Sequence, residues 1–143
     1  MLSFHNFIKR YGVDTTTNFD LIKWGKELQL KNFTVCMRDE LLTLPESFTN
    51  IIVNYQTTND TGSHWIALRK NENIGNFYFD SFGLQPFHEA AEFLKQGTYS
   101  TFVIQPFRRK VCGQLSLYLI YKINNGCDFY TTVLHLRDFY KHK

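Results

Sequence analysis

Between Gln114 and Ile123 the chain reads Gln-Leu-Ser-Leu-Tyr-Leu-Ile-Tyr-Lys-Ile, which sets apolar side chains at almost every angle around a helix. A helix coated in this way cannot lie on a surface, so other elements must pack around it. The expected helix runs from Gly113 to Asn124 and closes at Asn125-Gly126, a pair suited to the left-handed residue that ends many helices. It is too short to span a bilayer, and no uninterrupted apolar run of about 18 residues occurs elsewhere. Met1-Leu2-Ser3-Phe4-His5-Asn6 shows no apolar leader segment. The expectation is an intracellular protein without membrane contact.

A central helix needs a body to cover it. With 143 residues, 43% hydrophobic and 17% aromatic, the chain has enough apolar surface for one core, and a single domain over 1–143 is expected. The net charge of +3 is mild. The dense basic run is Arg108-Arg109-Lys110, with a smaller group at Lys141-His142-Lys143. Both read as solvated charge rather than a phosphate-tracking face, so nucleic acid is not indicated. Cys36, Cys112 and Cys127 are odd in number and lack paired spacing, so neither a disulfide framework nor a zinc site is expected. No cofactor or metal is called for. Asn32-Phe33-Thr34 and Asn59-Asp60-Thr61 match the glycosylation pattern, a chance match in a chain with no secretory signal.

Taken in order, Leu2, Phe4, Phe7, Ile8 and Tyr11 form the stripe of a first helix, and the polar run Asp14 to Asn18 breaks it. Thr17 or Asn18 would cap a second helix, with Phe19, Ile22, Trp24, Leu28 and Leu30 turned to the main body. Val35 and Met37 alternate like a strand that holds Cys36 as a small buried hydrophobe, and Arg38-Asp39-Glu40 after them suits a local ion-pair group. Strands are expected over Ile51 to Gln56, His64 to Arg69 and Asn76 to Phe79, the last two forming an antiparallel hairpin through Lys70 to Gly75. Pro86 to Gln96 suits a surface helix, Thr101 to Gln105 a strand, and Pro106 to Val111 a loop. Asp128 would cap a final helix holding Phe129, Val133 and Leu136, although Thr131-Thr132-Val133 leaves a strand open. The class is α+β, with a central mostly antiparallel or mixed sheet flanked by helices.

The chemistry lies where these elements meet. Cys112 stands at the start of the apolar helix, where unpaired N–H groups favour a thiolate. Gly113 beside it would let a substrate backbone approach. His64 and Asp80 sit at the start of one hairpin strand and the end of its partner, so topology puts them at one sheet edge. His64 is then the candidate base, and Asp80 the group that holds its second ring nitrogen. The Gln105 side-chain amide and the Cys112 backbone N–H are candidate donors to an oxyanion. Singly, each residue has an ordinary structural reading; together they supply the four roles of a thiol acyl-transfer site.

The motifs Gly62-Ser63-His64-Trp65, then Phe79-Asp80-Ser81-Phe82-Gly83, then Gln105 and, seven positions later, Cys112-Gly113 resemble the adenovirus protease family. The closest likeness is to members in virophages and Maverick or Polinton elements, with SUMO-specific proteases more distant. Met37-Arg38-Asp39-Glu40-Leu41 also resembles a segment of the mobile-element members, and the likeness covers about Phe19 to Leu136. It implies a permuted papain-like cysteine endopeptidase with Cys112 as nucleophile, His64 as base, Asp80 as orienting acid and Gln105 as oxyanion donor. It further implies capsid or other virion precursors as substrates, cut after small residues such as Gly, in the infected cell or the virion. Asp80 stands where the adenovirus enzyme has Glu, and this chain is shorter, which leaves the activating peptide and DNA of that enzyme without support here. A deconjugating isopeptidase for ubiquitin-like modifiers is the alternative enzyme, and a catalytically silent peptide-binding module the alternative outside enzymes.

Overall fold

Ile51-Ile52-Val53 and Trp65-Ile66-Ala67-Leu68 are buried throughout, which requires cover on both faces of the strands that carry them. In the computed structural model, which describes residues 1–58, 64–71, 73, 75–104 and 110–141, these segments are the inner strands of a five-stranded sheet ordered β1-β2-β3-β4-β5. The strands are β1 Phe33–Met37, β2 Asn50–Asn54, β3 Trp65–Arg69, β4 Phe77–Phe79 and β5 Thr98–Tyr99. β2, β3 and β4 are antiparallel neighbours, while β1 and β5 join parallel at the two edges. The fold is α+β, a mixed sheet flanked by helices. Among the described residues no helix is long and apolar enough to cross a membrane.

Alternation along the strands divides the core in two. Ile52, Trp65, Ala67 and Phe79 face α4 (Cys112–Asn124), which is backed by α1 (Phe4–Tyr11), α2 (Asn18–Glu27) and α5 (Phe129–Lys141). Ile51, Val53, Ile66, Leu68 and Tyr78 face the other way, toward Leu41 of a 3-10 segment (Arg38–Thr43) and α3 (His88–Leu94). α4 is buried on nearly all sides, including Gln114 and Ser116, as its sequence demanded. Gly126, at φ 92°, supplies the left-handed residue just past its end.

The second helix is capped as expected. Thr17 Oγ1 accepts the Asp20 N–H at 3.1 Å, and Asp20 Oδ2 accepts the Thr17 N–H at 3.0 Å, a reciprocal box. Its buried face differs from the expected one. Leu21 and Gly25 are buried, whereas Phe19 is 77% exposed and Ile22 is also exposed. Gly25 explains the rotation, because a Cβ there would run into the ring of Phe33. The helix turns its smallest residue to β1.

Two other expectations are corrected, and one left open is decided. Residues 101–104 form no strand; β5 is Thr98–Tyr99 instead. A bond from the Ile104 N–H to the Ser81 carbonyl, 2.9 Å, helps hold the later segment without a ladder. Arg38, Asp39 and Glu40 do not pair with one another. Arg38 bonds Glu89 at 2.9 Å and lies over Tyr55 and Phe87, Asp39 accepts the N–H and hydroxyl of Thr58, and Glu40 accepts the Met37 N–H. A 3-10 turn points consecutive side chains about 120° apart, so neighbours in sequence serve different segments. The last segment is a helix, started by Asp128 Oδ2, which accepts the Thr131 N–H at 3.0 Å.

Removing a side chain from the α4 core should therefore cost far more than removing one at the surface. Leu115 is 0% exposed and Leu84 50% exposed. Leu115→Ala is expected to lower the unfolding free energy by about 2–5 kcal/mol, and Leu84→Ala by no more than about 0.5 kcal/mol, as read by urea denaturation.

Candidate active site

β3 and β4 are in register with Ala67 opposite Phe79, so the residue before β3 and the residue after β4 reach the same edge of the sheet. These are His64 and Asp80. His64 Nε2 lies 2.6 Å from Asp80 Oδ1, with the residues 9% and 1% exposed respectively. Oδ1 also accepts the Phe82 N–H at 2.8 Å. The turn that follows closes through the Gly83 N–H on the Asp80 carbonyl, 2.8 Å. Gly83 sits at φ 75°, where a Cβ would meet the Thr101 carbonyl oxygen at 2.7 Å, so only glycine suits it. This tight turn lays Phe82 flat on His64, with centroids 4.1 Å apart and planes 5° from parallel. The carboxylate fixes the imidazole edge and the Phe82 ring covers one face.

Cys112 enters from the other side as the first residue of α4. Val111 precedes it as the cap position and makes no side-chain capping bond, so no side chain of the cap residue consumes the N–H groups of the first turn. The Cys112 sulfur is 6% exposed by residue and accepts the Trp65 N–H at 3.4 Å. Ser116, one turn on, donates its hydroxyl to the Trp65 carbonyl at 3.2 Å. The start of α4 is thus stitched to the start of β3, beside His64.

The electrostatics of His64 report this convergence. Burial pushes its pKa down, but hydrogen bonding to Asp80 and to Cys112, followed by the charges of both, overcomes burial and raises it from 6.5 to about 9. Nε2 is committed to Asp80. That leaves Nδ1 for the Cys112 sulfur, whose contact favours the imidazolium. At neutral pH His64 therefore carries a proton and faces the Cys112 sulfur.

Of the four candidate site residues, His64, Asp80 and Cys112 come together, and Gln105 lies outside the described residues, as do Arg108 and Arg109. Lys110 is exposed. Cys36 is buried in β1 and its thiol is pushed up to about 12, by burial first and then by Glu40 and Asp39, which leaves it unreactive. Gly113 does not present an open face to a substrate. It is buried, and a Cβ there would run into Thr16 Oγ1 and come within 3.3 Å of Trp65 Cδ1. Sequence reasoning missed Thr16, Gln114 and the stacking role of Phe82. The available signals were an amide inside an otherwise apolar helix and a threonine-rich break between two helices.

No protein-family model matches this chain, and no curated protein matches it. The site geometry itself is that of a buried cysteine, histidine and aspartate drawn from three separate segments.

Because the folded pKa of His64 lies above its ordinary value, the folded state binds its proton more tightly than the unfolded chain does. The stabilisation is present in full below about pH 6.5 and is lost as pH rises through about 9. Urea midpoints are expected to fall across that window. Asp80→Asn, which removes the first of the favourable contacts, should lower the imidazole pKa in an NMR titration and flatten the fall.

Proposed function

We propose that the chain is a cysteine endopeptidase of permuted papain-like type, with Cys112 as nucleophile, His64 as proton carrier and Asp80 as orienting carboxylate. The observation that carries this reading is the convergence of the three side chains, with His64 protonated and its Nε2 held at 2.6 Å by a buried carboxylate.

In the proposed mechanism the Cys112 thiolate attacks the carbonyl carbon of the scissile bond, forming the C–S bond while the carbonyl pair moves onto oxygen. Charge on that oxygen is met by the Cys112 N–H at the helix start, aided by the helix dipole, and the Gln105 amide is proposed as the second donor. As the tetrahedral species collapses, the C–N bond breaks and His64 gives its proton to the departing amine. Water then attacks the thioester, passing its proton to His64; the C–S bond breaks, the acid leaves, and the thiolate and imidazolium are restored. Asp80 keeps the ring aligned and the imidazolium stabilised without itself taking the proton.

The substrate class rests on the motif resemblance: capsid or other virion precursor polypeptides of a virus or mobile element, cut after small residues. The deconjugating alternative uses the same chemistry, and a fluorogenic ubiquitin-like substrate separates the two.

Cys112→Ala should abolish cleavage of the precursor with little change in melting temperature. Iodoacetamide should modify Cys112 faster than Cys36 or Cys127 near neutral pH, as read by peptide mass spectrometry. Equal rates at the three cysteines, or turnover by Cys112→Ala, would refute the assignment.

A further inference from the structure

The loop joining α1 to α2 is exposed at every residue from Gly12 to Thr17 except Thr16, which is 5% exposed. A loop that buries one residue against the body ordinarily buries an apolar one. This one leaves Val13 in solvent and buries a hydroxyl whose Oγ1 has no hydrogen-bond partner. The arrangement asks for a reason beyond packing.

Three long-range contacts fasten the loop to the residues around Cys112. Gln114 Nε2 donates to the Asp14 carbonyl at 2.9 Å, bridging 100 positions of sequence. Trp65 Nε1 donates to the Thr16 carbonyl at 3.2 Å. The Thr16 side chain itself rests against Gly113, filling the place a Cβ would take. Glycine inside a helix is unfavourable, and a close approach by another part of the chain is a standard reason for it. Trp65 closes the circuit. Its backbone N–H holds the Cys112 sulfur, its carbonyl holds Ser116, and its indole holds the loop.

We infer that Thr16 is a positioning residue: seated on Gly113 and tied to Trp65, it fixes the first turn of α4 and with it the Cys112 sulfur relative to His64. This inference rests on the reading of Cys112 as nucleophile. It differs from the view in which Gly113 lacks a side chain so that substrate can approach. The loop occupies that side of Gly113, and the fit is between two parts of one chain. A displacement of about 1 Å at a reacting group is enough to cost about 10²-fold in rate, so a loose fit here would be felt at the sulfur. The loop is held in turn by the helices it joins, and the Leu2 N–H, just before α1, donates to Tyr121 Oη of α4 at 2.7 Å.

A size exchange tests this. Gly113→Ala, Thr16→Gly, Thr16→Ser and the double variant Thr16→Gly/Gly113→Ala are compared with wild type for the pH profile of Cys112 alkylation by iodoacetamide, with melting temperature alongside. Iodoacetamide is too small to need the substrate cleft, so it reads the sulfur and its histidine. Gly113→Ala is expected to slow Cys112 alkylation by about 10- to 100-fold near neutral pH and to shift its profile. The double variant should recover most of that loss, and Thr16→Ser should stay near wild type. Alkylation by Gly113→Ala at the wild-type rate, or a folded double variant as slow as the single one, would overturn the positioning role. If Gly113→Ala does not fold, Thr16→Gly decides: slowed alkylation at Cys112 in a folded protein upholds the role, and an unchanged profile overturns it. The nucleophile reading fails separately and visibly, in wild type alone, if Cys112 shows no preference over Cys36 and Cys127; the positioning role then falls with it.

Discussion

Everything at the site depends on one junction, the place where the first turn of α4 meets the first residue of β3. Trp65 offers its N–H to the Cys112 sulfur and its carbonyl to the Ser116 hydroxyl, so the helix cannot slide or rotate without breaking both bonds. His64 is next to Trp65 in the chain and therefore inherits its position from the same junction. The sheet sets where Asp80 comes, and the helix sets where Cys112 comes. Trp65 is common to both.

The buried His64–Asp80 pair shows how the molecule holds charge in its interior. Two buried charges lose hydration, and their attraction compensates only when the remaining polar atoms are well placed. Oδ1 of Asp80 takes two donors, the His64 ring and the Phe82 N–H, while Oδ2 takes none. The pair is thus well aligned on one side and under-satisfied on the other. That is a poor way to gain stability and a good way to fix a ring, since the same turn that supplies the second donor also lays Phe82 across the imidazole.

Much of this architecture was legible in the sequence. The all-round apolar helix, the antiparallel hairpin and the capped second helix follow from local pattern, and the meeting of His64 with Asp80 follows from the hairpin that carries them. The misses have a common cause. α2 carries apolar residues on more than one face, so periodicity could not say that Gly25, rather than Phe19, would turn inward; contact with Phe33 decided it. The short strand Thr98–Tyr99 is exposed and recruited by β4, while the more apolar Thr101 to Ile104 remains outside the ladder. Arg38 and Asp39 parted because the residues they bond, Glu89 and Thr58, lie 51 and 19 positions off in sequence, while Glu40 turns back to Met37.

By itself, then, the sequence determined which residues have the chemistry and which segments must be buried, because residue type and period are local properties. Only the tertiary structure decided who touches whom. It made the thiol's neighbours a backbone amide of β3 and a protonated histidine, and it gave the space beside Gly113 to Thr16 rather than to a visitor. Contacts between residues some 50 to 100 positions apart leave no trace in local pattern, since they are fixed by the packing of a helix on a sheet.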